Sequence, residues 1–277
     1  MRTSLILAAI LGSSLSSRAA DWKLVWSDEF DRDGLPDATK WGCEVGFIRN
    51  QELQYYTAAR PRNARVQDGK LIIEAHQERL KNPDYDPAAP ERRWQRSREF
   101  AAITSASLTT RGAASWTYGK VYIRAKLPTG RGTWPAIWML GTNIQDVGWP
   151  ACGEIDIMEH VGHEPDAVHA NVHTRGYNHT RGNGRGKRLA FPGVEKDFHT
   201  YAVEWTKEKL EFFVDGKSFF TCENDGQGVD SWPFDAPQYL ILNLAIGGAW
   251  GGQQGVDDHI FPQQFIIDYV RVYQQEP

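Results

Sequence analysis

Three carboxylates fall within six residues in Gly153-Glu154-Ile155-Asp156-Ile157-Met158-Glu159-His160, inside an otherwise apolar, β-branched run. A buried strand normally carries none, because an ionised carboxylate loses its hydration on burial. The usual chemical use of two carboxyl groups facing each other across a cleft is cleavage of a glycosidic bond. One attacks the sugar, while the other gives a proton to the departing oxygen and later takes one from water. A solvated edge strand, a calcium site or an ion-pair network are the alternatives for such a cluster. The interleaved Ile155, Ile157 and Met158 weigh against them, since they demand a half-buried strand with one wet face.

The spacing adds a geometric expectation. In a flat strand Glu154 and Asp156 share a face, whereas Glu159, an odd number of positions on, points the other way and leaves Met158 in the cleft. A β-bulge between Asp156 and Glu159 absorbs one residue, returns Glu159 to the face of Glu154 and turns Met158 toward apolar packing. A retaining separation of about 5–5.5 Å between the two carboxyl groups requires the same compression.

The elements that must hold these residues read as strands. Lys70–Ala75, Gly119–Leu127, His199–Trp205, Lys209–Val214 and Phe265–Tyr273 alternate or run apolar, and Asp215-Gly216 is a hairpin turn signal. No amphipathic helix of useful length is visible, so the class is all-β and one domain, residues 21–277, is expected. Gln77–Glu99, crowded with charge and proline, and Arg175–Lys187, with glycines among basic side chains, read as loops. The basic side chains of the second loop could meet substrate hydroxyls or an acidic glycan, or form a solvated loop. Gly247-Gly248-Ala249-Trp250-Gly251-Gly252 follows an apolar run and reads as a strand ending in a tight loop that projects Trp250 over a cleft, or as a simple turn.

Residues 1–20 carry a charged start at Arg2, an apolar stretch from Leu5 to Leu11 and the small-residue pattern Ser17-Arg18-Ala19, the marks of a secretory signal. A secreted or periplasmic protein without a membrane span is therefore expected. With 31 basic and 35 acidic residues, a net charge of -4 gives no electrostatic case for nucleic acid, and a neutral ligand fits better. Cys43, Cys152 and Cys222 allow one disulfide at most, and Cys152, close to Glu154, is expected in the core rather than as a nucleophile. Aromatics make up 12% of the chain; many belong to the core, and some Trp are expected against the apolar faces of sugar rings.

The acid motif, preceded by Gly132-Thr133-Trp134-Pro135-Ala136-Ile137-Trp138-Met139-Leu140, resembles glycoside hydrolase family 16, in particular its laminarinase-like endo-β-1,3-glucanases. The likeness includes Val25–Phe30, Gln51–Tyr56, Tyr118-Gly119-Lys120, Glu204-Trp205-Thr206 and Asp268–Tyr273. It implies a concanavalin A-like β-jelly roll of two antiparallel sheets with a concave substrate cleft. It also implies Glu154 as nucleophile, Glu159 as general acid and base, and Asp156 as the group that tunes them. Trp134, Trp138 and Trp149 match or flank sugar-subsite positions, and Asn50 and His173 match polar positions near the reacting sugar; each has a core alternative. His160 stands where many relatives carry an aromatic such as Tyr. The resemblance implies no cofactor for catalysis and a structural calcium held by Asp268 with carbonyls near Glu29 and Gly69. The expected reaction is hydrolysis of internal β-1,3 bonds of a laminarin-like glucan by a monomeric, retaining enzyme. Mixed-linkage glucan, agar or porphyran as substrates, and a non-catalytic β-glucan-binding protein, are the alternatives.

Overall fold

The computed structural model describes residues 21–275, so the signal-like segment at residues 1–20 lies outside the described residues. Among the described residues seventeen strands, numbered in chain order, form two sheets. One sheet runs in the order β12 (Arg185–Ala190), β11 (Ala167–His173), β10 (Glu154–Glu159), β9 (Thr133–Gly141), β16 (Gln238–Ile246), β7 (Ser107–Thr109) and β2 (Gly42–Cys43). The other runs β15 (Lys217–Glu223), β14 (Lys209–Val214), β13 (His199–Trp205), β8 (Gly119–Lys126), β17 (Gln263–Gln275), β5 (Lys70–Lys81), β6 (Phe100–Ser105) and β3 (Gln54–Tyr56). To it are added β1 (Trp22–Asp28), on β17, and β4 (Ala64–Gln67), on β5. This is the expected jelly-roll sandwich, with one departure from antiparallel pairing: β3 and β6 run parallel.

The core lies between the sheets and follows from strand alternation. In β8 every second residue is buried, from Gly119 through Val121, Ile123 and Ala125, and the last three share the inter-sheet core with Ile155, Ile157 and Met158 of the acid strand. Strand β16 is buried along its whole length because both of its faces are covered. One face enters the inter-sheet core through Leu240, Leu242, Leu244 and Ile246. The other joins a second cluster of Ala136, Trp138, Leu140, Cys152, Tyr239 and Ile241 that floors the acid-bearing face.

The five strands expected from the sequence all form, with β13 and β14 at the expected limits. The two loops are shorter than expected. Strand β5 continues through Gln77 to Lys81 with a bulge between Gln77 and Leu80, because its pairing with β6 offsets the charge of the segment. Arg185–Ala190 forms the edge strand β12 on β11, where basic side chains stay solvated beside a paired backbone. Among the described residues helix is short, as in α1 (Ile144–Val147) and α2 (Gly248–Gly251), and none is long and apolar enough to cross a membrane.

Candidate active site

The expected bulge is present. Against β9, Glu154 pairs with Leu140, Asp156 with Trp138 and Glu159 with Ala136, with the register slipping between Asp156 and Met158. Paired residues share a face, and Leu140, Trp138 and Ala136 all belong to the floor cluster, so the three acids rise from that floor together. The extra residue is accommodated inward: Ile157 and Met158 are both 1% exposed and both lie in the inter-sheet core. The acids are more enclosed than a wet face suggests, with Asp156 at 2% and Glu159 at 8% exposure.

Strand β11 supplies the opposite row. His173 pairs with Glu154, Asn171 with Asp156 and His169 with Glu159. Asn171 Nδ2 donates to Glu159 Oε2 at 2.7 Å, and Trp134 Nε1 donates to Glu159 Oε1 at 3.1 Å. Trp149 Nε1 donates to Glu154 Oε2 at 2.8 Å. His173 Nε2 lies 3.3 Å from Asp156 Oδ2 and 3.8 Å from Glu154 Oε1. Asp156 stands between Glu154 and Glu159 on the same face, and its charge raises the Glu154 pKa. Such an array can deliver a proton at one carboxyl and present a lone pair at another.

Residues 53–271 match the family model of glycosyl hydrolases family 16. The chain belongs to that family. It is 52% identical to a beta-glucanase of Rhodothermus marinus over 97% of this chain and 91% of the relative. The fold superposes on the laminarinase structure from Rhodothermus marinus with TM-score 0.83 and 51% identity, covering 94% of this chain and 100% of the other. An endo-beta-1,3-glucanase structure from Pyrococcus furiosus matches with TM-score 0.81 and 36% identity, over 93% and 96% of the two chains.

In this family 16 hydrolase, burial decides the electrostatics of the acids. Desolvation pushes Glu154 well above the usual carboxylate range, and repulsion from Asp156 adds to it, while His173 and the Trp149 N–H act in the opposite direction. Desolvation likewise raises Asp156, with Glu159 adding repulsion. Glu159 is raised by burial against the donors Asn171 and Trp134. Repulsion among the three carboxyls adds to desolvation, so ionising one of them disfavours ionising its neighbours.

The other expected site residues divide by position. Trp134, Trp149 and His173 touch the acids directly. Trp250 reaches the same end as Glu159, edge-on to Trp134 at 5.7 Å and to His169 at 4.8 Å. Trp138 is in the floor, donating Nε1 to Asn243 Oδ1 at 2.7 Å under the Arg49 guanidinium, so it supports the site from below. Asn50 is exposed on a neighbouring turn, where its carbonyl accepts from the Ala249 amide at 2.9 Å. His160 is fully buried, with Nδ1 2.7 Å from the Ala167 carbonyl, and burial lowers its pKa; it ties the end of β10 to the start of β11.

Sequence reading missed Asn171, His169 and Arg49. The first two had a signal: in His169-Ala170-Asn171-Val172-His173 polar residues alternate with apolar ones, the pattern of a strand with one functional face. Arg49 had none, since its stacking on Trp138 at 4.9 Å and its pairing with Glu44 depend on a turn brought over the sheet. In the basic loop Arg175 pairs with the exposed Asp230 at 3.3 Å and Arg185 with Asp225 at 2.7 Å. Cys152 is in the core as expected, and the three cysteines are free.

Among the described residues, Glu154, Asp156 and His173 are the one group whose ligand atoms, within 4.8 Å of one another, could gather a metal ion. The residues expected for calcium lie on the other sheet, where β17 passes the end of β1 at Val270 and the start of β5 at Ile267 and carries Asp268 between them. The Glu29 carboxylate is forked by Arg271 at 2.9 and 2.7 Å, and Asp268 Oδ2 accepts from Arg124 at 2.6 Å. With the Glu29 carboxylate and one Asp268 oxygen taken by arginines, the second Asp268 oxygen is the carboxylate atom left here for a hard cation.

Proposed function

We propose that this chain hydrolyses internal β-1,3-glucosidic bonds of laminarin-like glucans with retention of anomeric configuration. The observation that carries the reading is the facing of Glu154 and Glu159 on one side of β10, each held by indole or amide N–H donors, with Asp156 between them. Glu154 attacks the anomeric carbon as the carboxylate favoured by the Trp149 N–H, while Glu159 passes its proton to the glycosidic oxygen. The bond to the leaving sugar breaks and a glycosyl ester forms on Glu154. That ester removes the Glu154 charge, so Glu159, now ionised, takes a proton from water, which attacks the same carbon and frees Glu154. Asp156, between the two acids on the same face and 3.3 Å from His173 Nε2, repels charge on Glu154 and so favours its neutral, esterified state between the two steps. The substrate assignment is supported by the glucanase activities of the relatives above.

Incubation of residues 21–277 with laminarin, mixed-linkage glucan and agarose, with products read by mass spectrometry, tests the reading. Short glucose oligomers from laminarin, lost by about 10⁴-fold or more in Glu154→Gln, are expected. Galactan fragments or unchanged activity in the variant would overturn it. We further propose export through residues 1–20, a monomeric state, and a calcium held by Asp268 and the carbonyls of Glu29 and Gly69. The ion would brace the junction of β1, β5 and β17 without entering the reaction. Chelation lowering Tm while leaving the pH profile in place is the corresponding result.

A further inference from the structure

The segment between β5 and β6 takes no part in the chemistry above, yet its last residues reach the rim of the site. We propose that Arg98 is a positioning residue: it holds the turn at Asn50 and Gln51 and, through that turn, the α2 segment that presents Trp250 to the cleft. The inference rests on the glucan-cleaving reading of that cleft.

Asn50 and Gln51 are consecutive non-glycine residues in the left-handed region, with φ of 55° and 54°. Such a pair persists only where its surroundings over-determine it. Arg98 supplies that restraint, donating Nη1 to the Glu52 carbonyl at 2.7 Å and Nη2 toward the Gln51 carbonyl at 3.5 Å. Its guanidinium is oriented by two aromatic rings, 4.9 Å from the centre of Phe47 and 5.0 Å from that of Trp94. A flat, stacked fork fixes two carbonyls in one plane, which a lysine ammonium does not do.

The far side of the turn is bonded to α2. The Asn50 carbonyl accepts from the Ala249 amide at 2.9 Å, Glu52 pairs with Gly247, and Asn50 Nδ2 donates to Glu52 Oε1 at 3.2 Å. The two backbones are so close that a Cβ on Gly248 would stand 3.0 Å from the Asn50 oxygen and 2.9 Å from Glu52 Cγ. From Ala249 the chain enters Trp250, whose ring meets Trp134, the donor to Glu159 Oε1. Contacts therefore run without a gap from Arg98 to the wall beside Glu159. The bond from Arg98 spans 46 residues, so the loop acts on the cleft from a distance in sequence.

Arg98→Met keeps an alkyl stem between Phe47 and Trp94 and removes the donors; Arg98→Lys keeps the charge. Amide exchange over residues 247–252 of the free protein is measured beside kcat, KM and the pH profile on laminarin. Loss of a charged donor predicts exchange faster and KM higher by about tenfold in Arg98→Met, with kcat and both pH limbs nearly unchanged and partial recovery in Arg98→Lys. Unchanged exchange and KM in a folded Arg98→Met overturn the proposal, as does a loss confined to kcat that tracks a lower Tm. A wild-type chain that leaves laminarin intact defeats the substrate reading, while the exchange result still decides the brace.

Discussion

Asn171 pairs in register with Asp156, yet its amide donates to Glu159 Oε2 at 2.7 Å. The diagonal reach exists because the bulge shortens the path along β10 between the two acids. It also depends on the edge strand: a Cβ on Gly186 would stand 2.0 Å from Asn171 Oδ1. An asparagine, a bulge and a glycine on three strands thus orient one carboxyl group.

Removing that donor shifts the pH profile in a set direction. The Asn171 hydrogen bond lowers the Glu159 pKa against burial, so Asn171→Ala raises it further. Glu159 then keeps its proton to higher pH, and the alkaline limb of kcat/KM moves up. Gly186→Ala, which displaces Asn171 by contact, moves the limb the same way and lowers kcat/KM by about a hundredfold. A pH–rate series on both variants checks this; a limb that moves down refutes it.

Burying the nucleophile costs stability, and the cost depends on pH. Glu154 has a folded pKa well above its ordinary 4.5, so its contribution is fully favourable below about pH 4.5 and is lost as pH rises through the folded value. Glu154→Gln carries no such loss. The variant should melt higher than wild type at pH 7, with the gap closing toward pH 4, as scanning calorimetry at both values would show.

Deleting Met158 removes the residue that the bulge absorbs. A regular strand then places Ile157 inward and the following Glu159 on the face of Glu154 and Asp156, since their spacing becomes even. The deleted side chain is 1% exposed in the core, so stability falls by about 2–5 kcal/mol. Measurable laminarin cleavage by a less stable protein is the expected outcome; a stable but inactive deletion would contradict the facing argument.

The three thiols differ in reach. Cys43 is exposed, burial pushes Cys152 up to about 11, and Cys222 is buried and raised as well. Ellman's reagent should titrate one thiol in the native protein and three after denaturation. A second fast-reacting native thiol that peptide mapping assigns to Cys152 would show that the floor beneath Glu154 opens.

The acid motif determined a great deal by itself. Side-chain alternation has a period of two, so an odd separation between Glu154 and Glu159 can be reconciled with a shared face only by a bulge, and the apolar Ile157 and Met158 state which way it must turn. Strands such as β8 and β14 were legible for the same reason: one buried face writes itself into every second residue. What depends on non-local contact was not legible. The end of β5 reads as loop until β6 pairs with it, and Arg185–Ala190 reads as a basic loop until β11 does. Trp134 and Trp138 lie four residues apart on one strand, yet one donates to Glu159 and the other to Asn243 under Arg49. Sequence period assigns both indoles to one face; only the packing of distant turns over that face decides which of them the substrate side can reach.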